Sequence, residues 1–124
     1  MALRPLRFVA LGLLLLAPTL AHAQDAAAGE KVFKSQCSIC HAVAAGKNMV
    51  GPSLSGIVGR KSGTVTGFRF TDANKNAGLT WDSATLDRYL ANPRGTVPGT
   101  TMTYAGVKAD QQRADLIVYL STLH

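Results

Sequence analysis

Hydrophobic residues follow two patterns along this chain. The first is a single apolar block from Phe8 to Leu20; the second, from Asp25 onwards, is a helical recurrence broken by long stretches without any period. From Asp25 to about Gln36, Val32 and Phe33 share a stripe with Gly29 and Cys37, which predicts a first helix. Glycine is unfavourable inside a helix, so Gly29 marks a place where another backbone comes close. Thr71 to Gly78 predicts one short helix, with Thr71 as N-cap and Gly78 as stop. A further helix starts at Asp82 or Ser83, carries Leu86, Tyr89 and Leu90 on its apolar face, and ends at Asn92-Pro93, because the residue before a proline is biased away from the α region. The last helix runs from about Asp110 to Leu123, with Ala109, Arg113, Leu116, Ile117, Leu120 and Leu123 at helical spacing, and would close the domain against the first. Ala44 to Gly67 and Arg94 to Gly106, rich in turn residues, read as loops. No stretch alternates as a strand does and none repeats, so the expectation is an all-α single domain.

The early block changes what belongs to that domain. Arg4 and Arg7 precede it and Ala21-His22-Ala23 follows it, the layout of a cleaved export signal with an A-x-A site. The block is short for a bilayer span and contains Pro18. The expectation is a signal peptide over residues 1–23 and a domain over 24–124 beginning at Gln24, delivered to a bacterial periplasm; the rival is an uncleaved anchor. Without the two signal arginines, eleven Lys and Arg face seven Asp and Glu. That is a modestly basic domain with no basic run and no aromatic interleaving, which excludes a nucleic-acid grip.

The candidate chemistry lies in Cys37-Ser38-Ile39-Cys40-His41, which contains both cysteines of the chain. C-x-x-C-H reads as a c-type haem attachment site. On one helical turn, residues three and four apart share a face, so two sulfurs can reach the vinyl groups on one haem edge while His41 points at the iron. The rivals are a thioredoxin-like dithiol, half of a zinc site, and a plain short-loop disulfide. The first wants a βαβ setting, and the second lacks the other two ligands. In an oxidising compartment free thiols would pair, and haem attachment would consume both.

Three further positions bear on such a site. Pro52 offers a carbonyl of the kind to which ligating histidines donate their second ring N–H. Trp81, the only tryptophan, carries an indole N–H that needs an acceptor if buried. A sixth iron ligand would have to be Met102, Met49, a lysine or water; Met102, between the Pro98-Gly99 turn and Gly106, is the better placed on composition.

Several motifs together resemble the class I cytochromes c, particularly mitochondrial cytochrome c and its periplasmic bacterial relatives. They are Cys37 to His41, Gly51-Pro52-Ser53-Leu54, Gly59-Arg60-Lys61-Ser62-Gly63, Thr71-Asp72-Ala73-Asn74-Lys75-Asn76, Pro98-Gly99-Thr100 before Met102, and Asp115-Leu116-Ile117 before Tyr119-Leu120. The resemblance runs from Gly29 to about Leu120. It implies the class I cytochrome c fold around one haem c held by Cys37 and Cys40, with His41 and Met102 as iron ligands and the Pro52 carbonyl orienting the imidazole. It implies that Arg60 and Trp81 serve a buried haem propionate, that Asn74, Tyr89 and Thr100 form a polar set on the methionine side, and that Gly29, Phe33, Leu116 and Tyr119 join the terminal helices. Two departures stand out. Phe70 stands where the family usually has a propionate-bonding tyrosine, and Gln36 and Thr101 stand where a lysine ring is usual, while Arg94 and Lys108 keep their positions. The loop from His41 to Gly51 is also slightly shorter than in the mitochondrial form.

The function so implied is a monomeric periplasmic electron carrier, not an enzyme. Its one-electron Fe(III)/Fe(II) shuttle would run between a membrane cytochrome bc complex and a terminal oxidase or other acceptor, with docking through the Arg94 and Lys108 side and no stable membrane insertion. The alternatives are a haem peroxidase or gas-binding protein, and a permanently bound electron-transfer subunit of a periplasmic enzyme.

Overall fold

A computed structural model of the chain describes residues 23–124. The signal peptide expected over residues 1–23 therefore lies, apart from the exposed Ala23, outside the described residues. Among the described residues five helices follow one another: α1 (Ala26–Gln36), α2 (Asp72–Asn76), α3 (Ser83–Ala91), α4 (Pro93–Thr96) and α5 (Asp110–Ser121). Among the described residues there is no strand, only one isolated antiparallel bridge between Lys61 and Thr80. The architecture is all-α.

The first four helices start where a side chain can satisfy their free N–H groups, whereas α5 follows Ala109 without a side-chain cap. Asp25 accepts from Ala27 N and Ala28 N, Thr71 from Asn74 N, and Asp82 from Thr85 N. The segment expected to be loop from Arg94 instead begins inside the short helix α4. The Asn92-Pro93 pair that stops α3 also starts it: Asn92 caps Gly95 N, and the proline takes the first helical position, where its missing N–H costs nothing.

The core forms where α1 crosses α5. Val32 and Phe33 pack with Leu116, Ile117 and Leu120, joined by Leu86 and Leu90 of α3, Ile57 and Val107. Gly29 sits at the crossing: a Cβ there would lie 2.0 Å from the Asp115 carbonyl oxygen, so any side chain would push the helices apart. The phenyl of Phe33 meets the Tyr119 ring at 5.6 Å between centroids. Asp115 is buried and ties the helices a second way, its carboxylate accepting from Asp25 N at 2.9 Å and from Gln111 Nε2 at 2.9 Å.

Arg113, on the stripe read as apolar, is buried with its charge met. Its guanidinium donates to Asp87 of α3 at 2.6 Å, to Asp110 at 2.8 Å and to the Val107 carbonyl at 3.0 Å. These contacts raise its pKa, the Asp87 bond most. α5 is thereby fixed to α3 and to the end of the loop that precedes it.

Candidate functional site

The site begins where α1 stops. Cys37 N and Ser38 N both donate to the Phe33 carbonyl, which closes the helix, and Cys40 N and His41 N both donate to the Cys37 carbonyl at 3.1 and 3.0 Å. Residues 37–41 therefore form one helix-like turn, which puts Cys37, Cys40 and His41 along a single wall. The following segment folds back on that turn through Gly51 N to Cys40 O at 2.8 Å and Leu54 N to Ala42 O at 2.9 Å. The return brings the Pro52 carbonyl 2.8 Å from His41 Nδ1. A carbonyl only accepts, so Nδ1 carries the proton and Nε2 keeps its lone pair free for a metal. Gly51 lies under the ring, where a Cβ would sit 2.3 Å from Cε1. The imidazole is held by a hydrogen bond at its edge and by backbone beneath it.

These groups open on a cavity of about 500 Å³ with a mostly apolar wall. Cys37, Cys40, His41, Pro52, Asn74, Trp81, Tyr89, Thr100 and Met102 all line it. Met49, the rival methionine, does not; its side chain is 43% exposed. The loop after α4 delivers Met102, and the Tyr89 hydroxyl points at its sulfur from 3.8 Å. The indole of Trp81 packs on the Tyr89 ring at 4.7 Å. Burial pushes the Tyr89 hydroxyl's pKa up, opposed by a hydrogen bond with Thr100. Asn74 Oδ1 is buried on the wall without a hydrogen-bond partner, an acceptor turned to whatever fills the space.

Arg60 is not brought to this wall. Its Nη2 donates to the Ser55 carbonyl at 3.3 Å, while its own backbone carbonyl takes Trp81 N at 2.8 Å. Its neighbour Lys61 lines the cavity instead, as do Phe68, Phe70 and Tyr104. Phe70 stacks edge-on against Phe68 with centroids 4.8 Å apart. Residue patterning singled out neither Lys61 nor Tyr104, because both lie in aperiodic segments. Of the surface cations, Lys34 is paired with Glu30 at 2.6 Å, Lys108 donates to the Ala91 and Ala105 carbonyls, and Arg94 lies beside Tyr104.

The thiols are not joined to one another. Burial, and secondarily the charge of Cys40, pushes the Cys37 pKa up to about 11. Such a thiol stays protonated at neutral pH, the opposite of an activated redox dithiol. Among the described residues no three His, Cys, Asp or Glu side chains converge on a point that could hold a metal ion. An iron here needs equatorial ligands from a macrocycle, which is what an apolar cavity with two thiols at its edge would accept. The family model described as Cytochrome c matches residues 26–124. The chain belongs to the cytochrome c family.

This cytochrome is 49% identical over 118 residues to "Cytochrome c2" of Blastochloris viridis, with 93% of this chain and 92% of that one covered. "Cytochrome c2" of Rhodomicrobium vannielii is 53% identical over 103 residues, covering 82% of each. Among solved structures, cytochrome cH from Methylobacterium extorquens superposes with a TM-score of 0.74 at 48% identity, covering 79% of this chain and 98% of that one. The cofactor is a covalently bound haem c, for which Cys37 and Cys40 provide the two sulfurs and His41 completes the C-x-x-C-H motif. The protein is an electron-transfer cytochrome c.

Proposed function

We propose that this protein is a periplasmic one-electron carrier, taking an electron from a membrane cytochrome bc complex and handing it to a terminal oxidase or another acceptor, without making or breaking substrate bonds. The observation that carries this reading is the donor set on one cavity: His41, with Nδ1 committed to Pro52, and Met102, beneath the Tyr89 hydroxyl. Were both to hold the iron, they would leave no position for O₂ or peroxide, and the haem would supply a reversible Fe(III)/Fe(II) couple whose potential a thioether donor raises.

The remaining wall residues fit into this reading. Cys37 and Cys40 anchor the group. The Pro52 carbonyl keeps the imidazole in one tautomer and orientation. Tyr89, Thr100 and Asn74 line the polar side near Met102, and Trp81 would hydrogen-bond a propionate. Arg60, whose guanidinium donates to the Ser55 carbonyl, would act on that propionate only from behind the wall, by its charge. Periplasmic delivery is supported by the leader's composition and by the Blastochloris relative, whose match takes in more of the chain than residues 26–124, so that part of the leader aligns as well. No described helix is long and apolar enough to cross a membrane.

Two measurements test the reading. The ferrous protein should not bind carbon monoxide at neutral pH; rapid binding would mean an open iron position and sink the carrier in favour of a gas-binding protein or peroxidase. Charge reversal at Arg94 or Lys108 should slow reduction by a purified bc complex at low salt, with the difference fading as salt rises. Lys75 is the control: equal slowing from its reversal would leave net charge, and no docking face, as the cause.

A further inference from the structure

The loop that delivers Met102 is tied to the rest of the molecule almost entirely from one side. Val97 N donates to the Pro93 carbonyl and Val107 N to the Leu90 carbonyl, so both ends hang from α3 and α4. Within the loop, Tyr89 reaches Met102, and Lys108 spans the Ala91 and Ala105 carbonyls. Thr100 N and Met102 N bond within the loop, to Val97 O and Thr100 Oγ1. Towards α1, on the far side of the cavity, the described hydrogen bonds include one tie: the Tyr104 hydroxyl donates to Gln36 Oε1, across 68 residues of sequence. Gln36 is the last residue of α1 and immediately precedes Cys37. Both partners of this bond line the cavity. On the α4 side, a recess of about 280 Å³ bounded by Asn92, Arg94, Thr103, Tyr104 and Ala105 leaves the same stretch without solid packing behind it.

We propose that Tyr104 and Gln36 form a latch that holds the Met102 loop closed across the cavity, which makes Tyr104 a positioning residue for the methionine. The inference builds on the reading of Met102 as an iron ligand. A loop without helix, hung from one side and hollow behind, opens at small free-energy cost. A single hydrogen bond at its free edge is then a sizeable fraction of what keeps it shut. Because the acceptor side chain sits next to the first haem-bearing cysteine, the latch joins the loop to the part of the chain that carries the anchored face. Tyrosine suits this position, since its ring fills the cavity rim while its hydroxyl reaches out to the amide.

The test uses the haem-loaded ferric protein and two variants. Tyr104→Phe keeps the ring and removes only the donor; Gln36→Leu removes the acceptor. Amide hydrogen exchange over residues 99–106 should quicken about twofold to thirteenfold in each, the range that one net hydrogen bond spans. Added imidazole should replace the sulfur–iron absorption faster by a similar factor. Exchange in α1 and α5 should stay as it was, and the double variant should be no faster than either single one. Unchanged loop exchange in both variants, or a double variant whose effect is the product of the two, would overturn the latch. A wild-type protein lacking the sulfur–iron absorption would instead fail the ligand reading, and loop exchange alone would then judge the latch.

Discussion

The α1–α5 crossing and the Met102 loop hold opposite sides of the same cavity by opposite means. At the crossing, Leu116 is 1% exposed, Gly29 lets two backbones touch, and the Asp25–Asp115 bond spans 90 residues. In the loop, residues are half-exposed, and scattered hydrogen bonds do the holding. Close packing leaves no neighbouring arrangement of similar energy, whereas a few hydrogen bonds near water are individually worth little. The cysteines and His41 follow directly from the packed side, and the methionine from the yielding one. The difference teaches which donor group is fixed by the fold and which is only presented by it.

The strongest way to break this contrast is to put a methyl group into the crossing. Overpacking costs about 1–3 kcal/mol, and at Gly29 the upper end applies because a Cβ would lie 2.0 Å from backbone. Helix propensity returns about 1 kcal/mol on replacing glycine by alanine. Gly29→Ala should therefore lose about 2 kcal/mol net in denaturant unfolding. A neutral or stabilised variant would show that the helices separate freely and that the packed side is no more rigid than the loop.

On the other side, Met102→His should move the unfolding midpoint less than Gly29→Ala does, yet change the site more. It should abolish the weak near-red absorption of the sulfur–iron bond and lower the potential, since a nitrogen donor favours the reduced iron less than a thioether does. Met49→Leu should do neither. Loss of the band in the Met49 variant would reassign the ligand.

Phe70→Tyr sharpens the comparison on a third wall. A hydroxyl there would offer a propionate the partner that the family resemblance places at this position, worth about 0.5–1.5 kcal/mol, or about 1.5–3 kcal/mol against a full charge. The unfolding midpoint at neutral pH should rise. An unchanged or lower midpoint would mean that Phe68, edge-on to Phe70, leaves no room for the added oxygen, or that another donor is already in place.

The smallest effect concerns α3, from which the loop hangs. Asp82 accepts from Thr85 N, and that bond holds its carboxyl below the usual range. A lowered folded-state pKa contributes stability above the unfolded value, about 3.9 for aspartate, that is lost as pH falls through the folded one. Asp82→Asn keeps a cap acceptor without a titrating proton. The difference in unfolding midpoint between pH 7 and pH 3 should narrow slightly; an unaltered difference would mean that the cap carboxylate plays no part in acid sensitivity.

How much of this was legible in the sequence follows the same division. α1, α2, α3 and α5 announce themselves by stripes and caps, and Gly29 by its oddness inside a helix. α4 has four residues, too few for any period, although Asn92-Pro93 carried its start. The turn from Cys37 to His41 is legible because local spacing alone builds it. Pro52 could be named as a candidate carbonyl, but only the folded return of residues 49–54 brings it to the ring. The choice between Met102 and Met49 was left open by spacing, because neither lies in a periodic segment; the fold puts Met102 on the cavity wall and leaves Met49 exposed. Lys61 on the wall, Arg60 behind it, and the pairing of Tyr104 with Gln36 depend on how distant loops meet, which no local pattern encodes.

The crossing of α1 with α5 also sets an order in time. Helices α1 and α5, the first and last of the described residues, complete each other, so the core cannot close until α5 has been made. Domains are synthesised from the N-terminus, and contacts between distant segments form late. The cysteine turn is therefore finished long before its far wall exists. Throughout that interval the two thiols, later half-buried, stand open to whatever attaches the cofactor, and the fold shuts behind them.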